Sequence, residues 1–237
     1  MDETKKLALV GYGKMARLVE QLAPQHGFQV KLRLNSTGNS HGRAITRETF
    51  AGIDVAIEFT TPEAAPDDLK RLAEEGVPSV CGTTGWGEHA AEVNAAVEKA
   101  GTGLVWSPNF SVGVAVFERL VREAATLLKD VEGYGAWAWE IHHDTKKDRQ
   151  SGTLLQLVDT MRRHGYSRPI DVSSNRAGRH PGTHEVGFDS VADTITLRHT
   201  ARSREGFAHG ALKAARWILN QRGVHTFEEV LFGLNAE

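Results

Sequence analysis

The chain has little of what marks secreted, membrane-spanning or nucleic-acid-binding proteins. Its 237 residues include one cysteine, Cys81, so no disulfide can form within the chain. No apolar run is long enough to span a bilayer, and no charged-then-apolar leader follows Met1. The 28 Lys and Arg residues are balanced by 30 Asp and Glu, without the basic excess typical of nucleic-acid binding. We therefore expect a cytoplasmic protein with a small-molecule partner, and neither nucleic acid nor membrane as a partner.

The eleven histidines show no metal-binding pattern. No further cysteine accompanies Cys81, and no two histidines form a helical His-x-x-x-His pair. We expect no metal site.

The first half of the chain alternates short apolar runs with helical patterns. Such alternation is typical of βαβ units, in which helices join parallel strands. The predicted strands are Leu7–Val10, Val30–Leu34, Val55–Phe59, Ser79–Cys81 and Leu104–Trp106. We therefore predict a Rossmann-like, doubly wound parallel sheet of the α/β class.

The second half differs in pattern. An apolar stripe from Phe117 to Leu128 predicts a helix, and strand-like runs with few helices between them follow. These runs are Trp137–Ile141, Ile170–Ser173, His184–Phe188 and Thr194–His199. They predict a smaller α+β domain with a mixed sheet. The tail is predicted to be helical and, with small residues from Ala211 to Ala215 on one face, to return to the first domain.

A glycine-containing turn follows the first predicted strand. Its sequence, Gly11-Tyr12-Gly13-Lys14-Met15-Ala16, has the form G-x-G-x-x-A and opens a helix. Glycines let the backbone approach a pyrophosphate, and a helix N-terminus presents free N–H groups to it. The turn predicts a dinucleotide site; a tight strand-to-helix turn without a ligand is the alternative.

The segment after the second strand has no carboxylate. In dinucleotide-binding folds an acidic side chain at this place binds the ribose 2′-hydroxyl of NAD. Here Asn35 and Ser36 offer polar groups, and Arg33 or Arg43 suits a 2′-phosphate. A solvated strand residue is the alternative role of Arg33, and both NADPH and NADH stay open as the cofactor.

Two small polar loops follow later strands. They are Glu58-Phe59-Thr60-Thr61-Pro62 and Gly82-Thr83-Thr84-Gly85, and ordinary turns without a ligand are the alternative. Open α/β sheets bind ligands at the carboxyl edge of their strands, so we expect these loops to contact the nicotinamide half of the cofactor.

The segment Glu140–Thr153 carries two histidines, two lysines and a Ser-Gly-Thr turn before a predicted helix. A helix N-terminus with hydroxyls and glycine can bind a carboxylate, and lysines can neutralise its charge. Histidine titrates near neutrality, and Lys146 can donate a proton. The alternative is a solvated polar loop with a capped helix.

Together these segments resemble the 4-hydroxy-tetrahydrodipicolinate reductase family, also called dihydrodipicolinate reductase, over nearly the whole chain. The string E-x-H-H-x-x-K-x-D-x-x-S-G-T from Glu140 to Thr153 carries most of the resemblance. Ser107–Val114, Arg176–Gly178 and Ser203-Arg204 add to it.

The resemblance implies reduction of 4-hydroxy-tetrahydrodipicolinate to tetrahydrodipicolinate by NADPH or NADH, in lysine and diaminopimelate biosynthesis. It also implies a dinucleotide-binding domain of residues 1–108 and 208–237 and a substrate-binding domain of residues 109–207. A homotetramer is the implied oligomer.

The resemblance also implies roles for residues. His142 and Lys146 would transfer protons as catalytic groups. The expected substrate-binding residues are His143, Ser151, Gly152, Thr153 and Arg204. The expected cofactor contacts, from the resemblance and from the loops above, are Gly11, Tyr12, Gly13, Lys14, Met15, Asn35, Ser36, Phe59, Thr60, Gly82, Thr83, Thr84, Ser107, Pro108, Asn109 and Phe110.

The chain departs from the family pattern in places. Ala16 stands at the third glycine of a short glycine loop, and Arg149-Gln150 replaces the usual Ala-Pro before Ser-Gly-Thr. Two other functions therefore stay open: a dehydrogenase or reductase of another small amino or keto acid, and a non-catalytic nicotinamide-binding protein.

Overall fold

The computed structural model describes residues 3–35 and 37–233, which fall into two compact units. One unit contains the chain up to Val112 together with the chain from Glu205 onward, and the other spans Gly113–Arg204. Among the described residues no helix combines the length and apolar character needed to cross a membrane.

The first unit is built on a six-stranded parallel sheet. Its strands are β1 (Lys5–Val10), β2 (Phe28–Leu34), β3 (Val55–Glu58), β4 (Ser79–Cys81), β5 (Gly103–Trp106) and β10 (Gly223–Thr226), in the spatial order β10-β5-β4-β3-β1-β2. The central strands are apolar over nearly their whole length because helices cover both faces of the sheet.

The helices of this unit are α1 (Lys14–Leu22), α2 (Ala65–Glu74), α3 (Ala90–Ala100), α6 (Glu205–Ile218) and α7 (Phe227–Phe232). Helix α6 packs on α1 and on the central strands, so the tail returns to the first sheet. The small residues of α6 permit this close packing: a Cβ on Gly210 would lie 1.8 Å from the carbonyl oxygen of Phe110.

The second unit is a four-stranded mixed sheet with helices on one face. It contains α4 (Val112–Leu128), β6 (Gly135–His142), α5 (Gly152–Arg163), β7 (Ile170–Arg176), β8 (Thr183–Asp189) and β9 (Thr194–Thr200), with strand order β7-β6-β8-β9. Strands β6 and β7 are parallel because α5 connects them, whereas the other pairs are antiparallel. Phe117, Leu157 and Phe188 lie in its core.

The prediction of a purely helical tail is wrong, since β10 and α7 follow α6. Strand β10 pairs with β5 at the edge of the sheet. Its sequence Gly-Val-His-Thr is too short to show an alternating apolar pattern, and pairing with β5 decides its conformation. Helix α7 begins with a capping box between Thr226 and Glu229, a local signal that the sequence does contain.

Candidate active site

The turn after β1 has the backbone geometry of a phosphate-binding loop. Gly11 adopts a φ of +84°, and a Cβ there would lie 2.1 Å from the carbonyl oxygen of Phe59. Gly13 is the N-cap of α1, and no side chain caps the first N–H groups of that helix. Their hydrogen-bonding capacity and the positive end of the helix dipole are therefore available to an anion.

Two cavities of the first unit adjoin this turn. A cavity of about 480 Å³ is lined by Gly11, Tyr12, Gly13, Asn35, Asn39, Ser40, His41, Phe59, Thr60, Thr61, Glu63, Ala64 and Asp68. A second cavity, of about 450 Å³, is lined by Gly13, Lys14, Met15, Phe59, Thr60, Pro62, Gly82, Thr83 and Thr84. The structure thus gathers eleven of the predicted cofactor residues around the glycine turn.

The remaining predicted cofactor residues are placed differently. The loop after β5 holds Ser107, Pro108 and Asn109, and the Ser107 hydroxyl donates to the carbonyl oxygen of Asn109 at 2.8 Å. The Phe110 side chain is buried against Phe227, with ring centroids 5.0 Å apart, so it serves the core and is closed to a ligand. Ser36 lies outside the described residues.

The buried Glu58, the first residue of the first polar loop, joins the ends of β3 and β4. Its carboxylate accepts bonds from the Thr60 N–H at 2.7 Å, the Thr83 hydroxyl at 2.8 Å and the Cys81 thiol at 2.8 Å. Burial raises the pKa of Glu58. This network holds the two polar loops together at the carboxyl edge of the sheet, and an acidic residue ending an apolar strand was its only sequence signal.

Arg33, which the sequence offers for a 2′-phosphate, is paired with an acidic side chain of α1. Its guanidinium Nε donates to the carboxylate of Glu20 at 2.9 Å, and it lines a different cavity from the glycine turn. Arg43 is exposed and is not among the residues that line the cavities of the glycine turn.

Helix α2 nevertheless contributes a carboxylate, that of Asp68, to the border of the larger cavity. Asp68 is fully buried, and its Oδ1 accepts a hydrogen bond from Asn39 Nδ2 at 2.8 Å. Among the described residues Oδ2 has no hydrogen-bond partner. Burial raises the pKa of Asp68 to about 7.

In the second unit a buried carboxylate organises the predicted catalytic segment. We call its group the Glu140 cluster: Glu140, His142, Ser151, Ser174, Arg176 and His184. Glu140 is fully buried and accepts hydrogen bonds from Ser151 N at 2.9 Å, Ser174 Oγ at 2.8 Å and Arg176 Nη2 at 2.9 Å. Burial raises the pKa of Glu140, but the contacts with His184, Ser151, Ser174 and Arg176 outweigh it and hold the pKa well below its usual value.

The register of the sheet explains how the cluster assembles. Glu140 of β6 lies opposite Ser174 on β7 and opposite His184 on β8. His142 lies two residues further on the same face, opposite Arg176. Three neighbouring strands thus direct polar side chains to one point.

His142 occupies a tight and largely dry position. A Cβ on Gly182, whose φ is +137°, would lie 3.0 Å from its Nε2, so only glycine leaves room for the ring there. Its ring centroid is 5.1 Å from that of His184. Burial lowers the pKa of His142 to about 4, against the opposing effect of Glu140.

The loop between β6 and α5 carries the other predicted catalytic residue. Lys146 Nζ lies 2.9 Å from Asp148 Oδ1, and the side chain is about a quarter exposed. His143 is bonded to the Thr145 hydroxyl at 2.7 Å. Most of the loop is exposed, in keeping with the alternative of a solvated polar loop, but Arg176 donates to the carbonyl oxygen of Asp148 and anchors that end.

The start of α5 has the predicted cap. The Ser151 hydroxyl accepts from Leu154 N, and the N–H groups of Gly152 and Thr153 follow it at the first turn. Arg204 is exposed, at the end of this unit, and makes no bond to the Glu140 cluster within the described residues. The structure thus brings His142 and Ser151 together and leaves Arg204 apart.

Three side chains of the cluster have the spacing of metal ligands. One ligand atom each of Glu140, His142 and His184 lies within 4.8 Å of the others. The Arg176 guanidinium donates to the same carboxylate at 2.9 Å, and this positive charge opposes cation binding. Sequence spacing could not reveal this grouping, because His184 lies on β8 and comes next to Glu140 and His142 of β6 only when the two strands pair.

Comparisons with known proteins agree with this arrangement. The family model described as Dihydrodipicolinate reductase, N-terminus, matches residues 5–110, and that described as Dihydrodipicolinate reductase, C-terminus, matches residues 113–231. The chain belongs to the dihydrodipicolinate reductase family. The resemblance inferred from the sequence is thereby confirmed.

Relatives in this family match over most of their length. A 4-hydroxy-tetrahydrodipicolinate reductase of Christiangramia forsetii is 32% identical, over 96% of this chain and 98% of the relative. One of Methanoregula boonei is 40% identical over 75% of this chain and 74% of the relative. A solved structure, a dipicolinate-bound dihydrodipicolinate reductase from Paenisporosarcina sp. TG-14, is 19% identical, covers 94% of this chain and 97% of its own, and has a TM-score of 0.80. This likeness confirms the predicted fold, a Rossmann-like parallel sheet plus a mixed-sheet unit.

Proposed function

We propose that the chain is a nicotinamide-dependent oxidoreductase that reduces 4-hydroxy-tetrahydrodipicolinate to tetrahydrodipicolinate in lysine and diaminopimelate biosynthesis. The observation that carries the proposal is the Glu140 cluster, in which one buried carboxylate binds the start of α5 and lies 3.4 Å from the Nδ1 atom of His142. Membership of the dihydrodipicolinate reductase family supports the substrate. The reaction consumes one hydride and one proton and releases one water.

The first unit holds the cofactor in this proposal. The uncapped N-terminus of α1 binds the pyrophosphate, and the loops joined by Glu58 border the nicotinamide. The reduced nicotinamide, when bound, supplies the hydride. The cavity residues fit such a group because Gly11 and Gly13 leave the backbone accessible and no side chain fills the turn.

The second unit binds the dicarboxylate and manages protons. The N–H groups of Gly152 and Thr153 bind one carboxylate at the positive end of α5, assisted by His143. The family resemblance assigns the other carboxylate to Arg204, which is exposed and lies outside the Glu140 cluster. Lys146 donates the proton, and the neutral His142 accepts and relays one, because its lowered pKa leaves it uncharged at pH 7.

We further propose that the enzyme uses NADH in preference to NADPH. No Lys or Arg lines the larger cavity among the described residues, and Arg33 is engaged by Glu20. Asp68 borders the same cavity. Its side chain is fully buried, so its charge acts on a ligand in the cavity without direct contact. A carboxylate with no cationic partner disfavours the two negative charges of a 2′-phosphate.

A direct assay tests the function. Purified protein is mixed with freshly generated 4-hydroxy-tetrahydrodipicolinate and each reduced nicotinamide in turn, and loss of the reduced-nicotinamide absorbance is followed. We expect turnover with this substrate and slower turnover with other small amino and keto acids. Faster oxidation with another acid would favour a different dehydrogenase, and cofactor binding without any oxidation would favour a non-catalytic binding protein.

We expect the oligomer to be a homotetramer and the enzyme to be cytoplasmic, as the family resemblance implies. Light scattering of the purified chain measures the oligomer directly. A monomer that is fully active would contradict this part of the proposal.

A further inference from the structure

We propose that Glu140 is a positioning residue. Its side chain fixes the position of the N-terminus of α5, which binds the substrate, and the position of the proton donor Lys146. The inference rests on the proposed function and extends it to a residue that touches neither substrate nor cofactor. Glu140 is fully buried, so its effect on the reaction must pass through the groups that it binds.

The first of these groups is Ser151. Its backbone N–H donates to Glu140 Oε1 at 2.9 Å, and its hydroxyl donates to Glu140 Oε2. The same hydroxyl accepts from Leu154 N, so it caps α5 while bound to the carboxylate. Both Ser151 donors are therefore used within the protein. The anion at this helix start must be bound by the next N–H groups, those of Gly152 and Thr153, and Ser151 supports the site without contacting the ligand.

The second group is Arg176, which extends the influence of Glu140 to the catalytic loop. Arg176 Nη2 lies 2.9 Å from Glu140 Oε1 and also donates to the carbonyl oxygen of Asp148. The Asp148 side chain in turn lies 2.9 Å from Lys146 Nζ. A continuous series of contacts thus runs from the buried carboxylate to the proposed proton donor. Arg176 is almost fully buried, which makes the central ion pair a rigid part of this series.

The third group is the pair of imidazoles. Glu140 Oε2 lies 3.4 Å from His142 Nδ1 and 3.3 Å from His184 Nε2. The charged groups that face these rings are Glu140 and Arg176, with Lys146 and Asp148 on the loop. For His142, burial and the positive charges of Lys146 and Arg176 outweigh the attraction of Glu140, so the ring stays neutral at pH 7.

The substitution Glu140→Gln tests the proposal. The amide keeps the size of the side chain but presents an N–H group where Ser151 now donates, so the helix start and the loop lose their common anchor. We expect kcat to fall at least ~10-fold and KM for the dicarboxylate to rise, since small displacements of reacting groups cost up to about 100-fold. The Kd for NADH, measured by fluorescence titration, should stay within about twofold because the cofactor residues belong to the first unit.

The chain offers a matched control in Glu118 of α4. Its carboxylate also binds α5, accepting from Gln156 Nε2 at 2.9 Å and Thr160 Oγ at 3.0 Å, but at the middle of the helix. Glu118→Gln should leave kcat and KM unchanged even where it lowers the melting temperature. Equal kinetic losses in both variants would reduce Glu140 to a structural residue and overturn the proposal.

A second variant keeps the test decisive if Glu140→Gln does not fold. Arg176→Lys preserves the charge beside Glu140 but removes the guanidinium that also reaches Asp148. We expect a lower kcat with little change in KM, because the Lys146 loop shifts while the start of α5 stays bound. Wild-type kinetics in a folded Glu140→Gln or in Arg176→Lys would overturn the proposal. An inactive wild-type enzyme with an intact dinucleotide site would instead overturn the proposed function.

Discussion

His142 Nδ1 lies 3.4 Å from Glu140 Oε2 and yet makes no hydrogen bond within the described residues. The ring is 8% exposed, and its burial lowers the pKa to about 4. A neutral imidazole has one unprotonated ring nitrogen, so His142 is able to accept a proton. The relationship divides the proton chemistry between an uncharged acceptor, His142, and a charged donor, Lys146.

Replacing both His142 and Lys146 with Ala should lower kcat at least ~100-fold, since a positioned acid or base typically contributes that much. Circular dichroism checks that the variant is folded. Lys147→Ala is the control, because this neighbouring side chain is exposed. Retained activity in the double variant would remove the catalytic assignment.

The lowered pKa of His142 also makes a prediction about stability. Protonation is harder in the folded protein than in the unfolded chain, so this group lowers the unfolding free energy as pH falls from 6.5 towards about 4, and contributes no change above that range. The shift corresponds to about 3 kcal/mol, at about 1.4 kcal/mol for each pKa unit. Urea denaturation at both ends of the window, for wild type and His142→Gln, measures the difference. A variant as acid-sensitive as wild type would contradict the assigned pKa.

The substitution Asp68→Asn tests the cofactor preference. We expect binding of NADPH to strengthen about tenfold relative to NADH at pH 8, which corresponds to about 1.4 kcal/mol. At pH 6 the effect should shrink, because Asp68, with a pKa of about 7, is then largely protonated in the wild type. Fluorescence titration gives both Kd values. Glu74→Gln, an exposed change on the same helix, is the control; if it alters selectivity as much as Asp68→Asn, the effect is not specific to the cavity.

The two glycines of the phosphate turn should respond differently to alanine. At Gly13 an added Cβ meets no atom within 4 Å, so the variant should keep its melting temperature but bind NADH at least ~10-fold more weakly, because the methyl group occupies the space of the pyrophosphate. At Gly11 the Cβ would meet Phe59, and the fold itself should be destabilised. Unchanged NADH affinity in Gly13→Ala would contradict the assignment of the pyrophosphate to this turn.

Local sequence signals account for most elements of the fold. Strands such as Leu7–Val10 and Val55–Phe59 are recognisable because burial on both faces requires an apolar run. The glycine turn and the string from Glu140 to Thr153 are recognisable because they are contiguous. Strand β10 was missed because its four residues are too few to show a pattern, and its pairing with β5 joins positions more than a hundred residues apart.

The sequence by itself therefore determined the family, the order of the elements and the contiguous catalytic segment. Only the tertiary structure decided which distant residues complete the sites: Ser174, Arg176 and His184 around Glu140, and Asp68 beside the glycine turn. The reason is physical. Strand register and helix packing are set by long-range pairing and burial, and a shift of β7 by one residue would turn Ser174 and Arg176 to the opposite face of the sheet.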